Sequence, residues 1–235
     1  MVHPLTAKYN NMAFYRQGIV LIHMTVVLAL DDWRSYSLIQ SELHWGWVLA
    51  YGNKLETRPQ YTPTDCFETF SFPDSLDDLD TIGECYYQHR QSIMQSRQEG
   101  LTKTYNRFHN PDDTSSDIVE LRRLHIEMDQ AVAAAYGWEE LDLGHDFHDT
   151  KQGIRFTISE TARREVLDRL LELNHQRYAE EVAAGLHDKK AGKAKSPITR
   201  KRKETAAPSG ATPQLDIFGS SQPDLFDAPP VLRES

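Results

Sequence analysis

Apolar residues mark most of this chain's elements before any other feature does. Ile19-Val20-Leu21-Ile22-His23-Met24-Thr25-Val26-Val27-Leu28 is rich in β-branched residues and predicts one or two buried strands, broken by Asp31-Asp32. Ser35 then stands where a helix cap belongs. Leu38, Ile39, Leu43, Trp47 and Leu49 give that helix an apolar face, ending near Gly52-Asn53. Thr57 to Tyr61 reads as extended, and Phe67, Phe70, Phe72 and Pro73 as an aromatic knot packed on the body. A second helix begins near Ser75, its apolar face built from Leu76, Leu79, Ile82, Tyr86, Ile93 and Met94, and ends by Gly100. A polar-aromatic loop is expected from Leu101 to Pro111. A third helix starts at Asp117, with Ile118, Leu121, Leu124, Met128 and Val132 on one face and Glu120 completing a variant capping box. Arg155 to Ile158 is short and extended. Ser159 caps a fourth helix that runs through Val166, Leu170 and Tyr178 to Gly185.

From His187 the periodicity is lost, and residues 187–213 have the Lys, Ala, Pro, Ser and Gly composition of a disordered linker. The expected fold class is therefore α+β: a small partial β region at the N-terminus, a mainly helical region, and a disordered C-terminal tail. The corresponding divisions are 1–73, 74–185 and 186–235.

Charge changes this picture. The 235 residues carry a formal net charge of -9, with 26 Lys and Arg against 35 Asp and Glu. Residues 187–235 hold 9 basic and 6 acidic side chains, a net of +3, which leaves -12 on residues 1–186. A uniformly basic nucleic-acid coat is excluded; a short basic arm is not. Cys66 and Cys85 form no CxxC pair and read as free thiols of a reducing compartment. The apolar run near residue 20 is shorter than the ~20 residues of a membrane span and lacks the flanks of a signal peptide. A cytoplasmic protein without a membrane partner is expected.

Catalytic signatures are sparse. No two of the 12 glycines form GxG, there is no P-loop, and Pro229-Pro230 lacks the polar and aromatic neighbours of a base-amine-holding turn. Asp149-Thr150-Lys151 and Asp188-Lys189-Lys190 match a nuclease fragment without the upstream acid. His145 and His148, beside Asp146 and Asp149, have a metal-like spacing, but Gly144 and the mixed Leu141-Asp142-Leu143 before them, with no third ligand in view, favour a solvated polar loop. No catalytic residue and no metal ligand are assigned.

Three stretches share a family resemblance. They are Leu38 to Trp47 with Tyr61 to Pro73; Gly100 to Pro111; and Arg155 to Glu160 with Ala162 to Leu167 and Leu173 to Glu181. Together they resemble the C-terminal part of adenine-specific DNA methyltransferases of type IIG restriction–modification and phage-defence systems. The first is similar to the closing portion of the target-recognition domain, with Ser71 where the family usually has proline. The others are similar to the helical region that follows. The resemblance implies a DNA-recognition and scaffold fragment that is not an enzyme on its own. The family's S-adenosylmethionine site and catalytic domain would lie outside this chain, so no cofactor is expected within it. Double-stranded DNA and a catalytic methyltransferase chain are the implied partners. The alternative is a protein-interaction module of a phage-defence system without DNA affinity, which the acidic body favours.

Lys103, Tyr105, Asn106, Arg107 and His109 are the best DNA-contact candidates, offering cations, an amide and aromatic faces. Against this, Tyr105, Phe108 and Pro111 equally suit pinning the loop to the helices. His44 between Ser41, Trp45 and Trp47 reads as buried packing before it reads as a base-stacking site. Arg163, Arg164, Arg169 and Arg177, interspersed with glutamates, read as a salt-bridged helix face. The cations between Lys189 and Lys203 suit salt-sensitive phosphate affinity or a plain spacer. In the tail, Gln214-Leu215-Asp216-Ile217-Phe218 resembles the peptide by which bacterial DNA-processing proteins dock on the sliding clamp. Gln214, Leu215, Ile217 and Phe218 would make the contacts.

Overall fold

The computed structural model describes residues 1–15, 18–56 and 58–186. In chain order these form β1 (Val2–Pro4), β2 (Thr25–Val27), α1 (Trp33–Gln40), α2 (Glu42–Tyr51), β3 (Asn53–Leu55), β4 (Arg58–Gln60) and α3 (Pro63–Cys66). A 3-10 turn at Asp77–Leu79 leads into α4 (Asp80–Arg97). Then come α5 (Leu101–Phe108), α6 (Ser116–Ala135), β5 (Asp146–Thr150), β6 (Gly153–Thr157) and α7 (Glu160–Ala183). Short strands at the start and a mainly helical remainder make this the expected α+β fold. The strands pair as three separate two-stranded antiparallel sheets, β1-β2, β3-β4 and β5-β6. No helix among the described residues is long and apolar enough to cross a membrane.

The first strand is shorter than its composition suggests. Only Thr25–Val27 of the apolar run is strand, and Val20 and Ile22 are 92% and 67% exposed. Pairing needs a partner, and β1 supplies only three residues, Val2 to Pro4 opposite Val27 to Thr25. Pro4 has no N–H to extend the ladder, and beyond it the chain turns to pair Thr6 with Gln60.

The expected single helix over 35–52 is two. Asp32, not Ser35, caps α1, accepting from the Ser35 N–H at 2.8 Å. Ser41 leaves the helix with φ -65 and ψ 157. Its hydroxyl donates to the Leu38 carbonyl at 2.7 Å and accepts from the His44 N–H at 3.3 Å, so one serine ends α1 and caps α2. The region expected as a polar-aromatic loop is helix α5. Its buried residues Thr104, Tyr105 and Phe108, with Leu101, follow the i, i+3, i+4, i+7 spacing of a helix face. His145 to Asp149 is likewise no solvated loop, since Asp146–Thr150 pairs with β6 in register from Asp146↔Thr157 to Thr150↔Gly153. Gly153 turns that hairpin with φ +92. α6 starts at Ser116, because Asp117 is held by Arg97 in a bidentate pair at 2.7 Å instead of serving as cap.

The core runs through the whole described body. One cluster joins Met1, Tyr9 and Met12 to Tyr36, Tyr86, Tyr105, Phe108, Ile118 and Met128. A second joins Leu38, Leu43, Trp47 and Phe70 to Val132, Ile158, Val166 and Leu170. Helices α1 and α4 approach closely at Gly83, where a Cβ would lie 2.3 Å from Ser37 Oγ and 2.5 Å from the Trp33 carbonyl oxygen. The aromatic knot is present, with Phe72 edge-on to Phe67 and Phe70. The expected linker at 187–213 and the clamp-like peptide at 214–218 lie outside the described residues.

Candidate nucleic-acid interface

Helix α5 carries the five sequence candidates, and its period sorts them. Lys103 and Asn106, three apart, face solvent together. Tyr105 points inward and is 3% exposed. Its hydroxyl takes hydrogen bonds from Arg90 Nη1 at 2.9 Å and Gln40 Nε2 at 3.3 Å, and meets the Tyr86 hydroxyl at 3.1 Å. Arg107 is half-exposed but committed. Its guanidinium donates to both oxygens of Glu99 at 2.8–3.0 Å and to Asp113 at 3.1 Å, which raises its pKa further. His109 stacks on Tyr9 at 4.8 Å. Burial lowers its pKa to about 3, so the ring is neutral and its Nδ1 accepts the Phe156 N–H at 3.2 Å.

The fold adds three residues that sequence reasoning missed. The Tyr9 hydroxyl donates to Asn106 Oδ1 at 2.6 Å, and Lys8 Nζ reaches the same oxygen at 3.5 Å. Lys8 Nζ lies 4.8 Å from the centre of the Tyr9 ring and the Arg155 guanidinium 5.3 Å from it. Nearly a hundred residues separate Lys8 from Asn106. A lone basic–aromatic dipeptide carries no periodic signal that would join them. The surface is thus built from the segment after β1, one face of α5, and β6.

A second cluster lies inside the body, where α2, α6, β5 and β6 meet. His125 Nε2 is 3.6 Å from Glu42 Oε1 and 3.5 Å from Asp129 Oδ2. His145 Nε2 is 2.8 Å from Asp129 Oδ2, and the Thr157 hydroxyl donates to Glu42 at 2.6 Å. Burial works against the charge on both His125 and Glu42. The two carboxylates outweigh it at His125 and raise its pKa; His125, Thr157 and Arg163 outweigh it at Glu42 and hold that carboxyl below the usual range. His145 and His148 do not converge, for His148 Nε2 turns to the Gly144 carbonyl at 2.9 Å.

The remaining candidates are structural. Ser41, His44, Trp45 and Trp47 are buried; His44 Nε2 meets the Tyr61 hydroxyl at 3.0 Å and Trp47 Nε1 donates to Thr69 at 3.1 Å. On α7, Arg163 and Arg164 pair with Glu160, and Arg169 pairs with Glu165 and Glu140. Arg177 pairs with Asp74, which completes the salt-bridged face. A surface depression of about 580 Å³, lined by Glu140, Asp142, Gly144, Ser159, Glu165 and Arg169 among others, contains none of the α5 candidates.

Residues 3–74 match the family model described as MmeI, target recognition domain. Residues 3–74 are thus similar to an MmeI-type target recognition segment. The resemblance to restriction–modification methyltransferases, read from residues 38–73, is met there. Lys8, Tyr9 and Glu42 fall inside the MmeI-type segment, and α5 and β6 fall after it. The fold is similar to that of a solved structure of the Type IIL restriction-modification enzyme MmeI in complex with DNA, with TM-score 0.50 and 17% identity over 76% of this chain. The chain spans 21% of the length of that MmeI chain. No curated protein matches it.

Proposed function

We propose that this chain is the DNA-recognition and scaffold part of a restriction–modification system of the adenine-methylating kind. The observation that carries the reading is the match of residues 3–74 to the MmeI target recognition domain. The similar fold of an MmeI chain that was solved with DNA supports it. In this reading methyl transfer from S-adenosylmethionine belongs to sequence beyond the fifth of MmeI that the chain spans. The present residues hold and position the duplex for a catalytic chain or domain. Lys103 and Asn106 are the α5 side chains that reach outward for it, whereas Tyr105 and His109 support the surface from below. The tail peptide Gln214 to Phe218 docks on a sliding clamp in the same reading, supported by its sequence alone.

A salt titration of duplex binding tests the main claim. DNA recognition requires binding that weakens steeply with salt, because each neutralised phosphate releases counterions. Absence of binding at low salt would favour the protein-interaction alternative, which the -12 charge of residues 1–186 supports. Adding a catalytic chain of the family should restore sequence-specific adenine methylation if the division of labour is right. Deleting residues 214–226 should abolish clamp binding and leave duplex binding in place.

A further inference from the structure

Duplex binding by a body of net charge -12 requires a local exception to that charge. Most arginines on the described surface offer none. Arg97, Arg107, Arg123, Arg163 and Arg169 are each bound to one or more carboxylates. Lys8 and Arg155 differ, since neither makes an ion pair with a described residue. Both cations rest instead on the ring of Tyr9, at 4.8 and 5.3 Å from its centre.

The support beneath them is rigid. Tyr9 is 5% exposed and stacks on both His109 and Tyr105. Its hydroxyl fixes Asn106 by a 2.6 Å bond to Oδ1, which leaves the two amide N–H donors of Asn106 unengaged. Arg155 donates Nη1 to its neighbour's carbonyl, the Ile154 oxygen at 2.8 Å, while its Nε and Nη2 are buried without a hydrogen-bond partner. The Lys8 ammonium and the free Asn106 amide therefore meet at the surface, and the Arg155 guanidinium lies on the same Tyr9 ring with two unpartnered donors held out of water. Beneath it, His109 is neutral because it is buried, and the nearby Arg155 and Lys8 push its pKa down further. The ring adds no competing donor charge.

Resting on the DNA reading above, we infer that Lys8, Asn106 and Arg155 form a clamp for the phosphodiester backbone of the bound duplex. A phosphate has acceptor oxygens enough for an ammonium and an amide at once, and the Arg155 charge on the same ring adds to the attraction. Such a contact positions the duplex and reads no bases. Its three members come from the MmeI-type segment, from α5 and from β6. One backbone grip therefore sets the register of the recognition segment against the helical region behind it.

The test uses the full chain, a short labelled DNA duplex, and the slope of log affinity against log salt. Each lost phosphate contact lowers the slope by about 0.9. Lys8→Gln should lower it by about 1 and the double variant with Arg155→Gln by about 2, with weaker binding to every duplex sequence alike. Lys8 is exposed, so Lys8→Gln should melt with the wild type; it decides the matter if Arg155→Gln disturbs the hairpin. Arg123→Gln makes the same charge change at a cation already paired with Glu120 and Glu127, and should leave the slope as it was. Wild-type slopes in both Lys8→Gln and the double variant, with the wild-type chain binding duplex, would overturn the clamp and leave the DNA reading standing. A wild-type chain that binds no duplex would overturn both.

Discussion

Arg90 lies wholly out of water with no carboxylate beside it. Its guanidinium donates to the Met12 carbonyl at 2.7 Å, the Tyr105 hydroxyl at 2.9 Å and Gln40 Oε1 at 3.4 Å. The rings of Tyr36, Tyr86, Tyr87 and Tyr105 surround it at 5.1–5.9 Å. Burial keeps the Tyr36 and Tyr86 phenols neutral far above their ordinary range, so the cation is held by dipoles and ring faces alone. This network ties the chain start, α1, α4 and α5 to one point, and Tyr105, the same residue that supports the outer surface, is part of it. Arg90→Ala removes the donors and leaves the Met12 carbonyl and Gln40 facing a hole. The expected loss is about 3–5 kcal/mol of unfolding free energy. Arg90→Lys keeps the charge but lacks the fork that spans Met12 and Tyr105, and should fall between that variant and the wild type. Urea unfolding of both, beside Arg123→Gln at a change within about 0.5 kcal/mol, measures the difference. Equal stability of Arg90→Ala and the wild type would show that the network holds nothing.

At the scale of elements, histidine burial governs how the body responds to pH. His3, His44 and His109 have their pKa values lowered from 6.5 to about 4, 3 and 3 by burial. The folded state refuses protons that the unfolded chain accepts below pH 6.5. Stability therefore falls with acidification, by about 4 kcal/mol per pH unit where all three contribute. Glu42 adds to the loss below its ordinary value of 4.5, as its lowered pKa is approached. His125 acts in the opposite sense: its raised pKa contributes stability in full below 6.5, and that contribution is lost as pH rises through the raised value. The expected profile peaks near neutrality, with a steep acid limb of about three protons and a shallow alkaline limb of one. His125→Gln should flatten the alkaline limb and, by removing one of the groups that hold Glu42 down, reduce the Glu42 part of the acid limb as well, which unfolding midpoints across pH will show. Of these groups only the burial of His44 was legible in the sequence, which gives no hint that His125 meets Glu42 across α6 and α2. Helices α4, α6 and α7 were legible because their apolar residues repeat over many turns. Helix α5 was hidden by its length of two turns and by polar residues on its outer face. The break at Ser41 was hidden because the bonds that make it are local to one hydroxyl. Strand β6 was legible as the extended Arg155 to Ile158, whereas its partner β5 was hidden because it reads Asp-Phe-His-Asp-Thr, with no β-branched run to announce it. The candidate surface was half legible: its α5 members sit together in sequence, and Lys8 and Arg155 arrive only through the fold.

For the whole molecule, the proposed DNA-recognition role raises the question of how an acidic body would approach a polyanion. Charges beyond about 8 Å are largely screened at physiological salt, so the mean charge of residues 1–186 acts weakly at a distance and a local clamp sets the contact. The tail reverses the sign: eight Lys and Arg stand between residues 189 and 203, with Glu204 the nearest acid after them. If those cations lie on phosphate in the complex, they add counterion release without sequence information, because phosphates are the same at every site. Two classes of variant then separate cleanly. Glutamine at all eight tail positions should lower the salt slope by several units and weaken target and non-target duplexes by the same factor. Changes in the MmeI-type segment that touch base edges should alter the ratio between those duplexes and leave the slope nearly intact. A competition assay with two duplexes at several salt concentrations reads both quantities from one experiment. An unchanged slope in the eight-glutamine variant would reduce the arm to a spacer and leave all phosphate affinity to the folded body, where Lys8 and Arg155 would carry it.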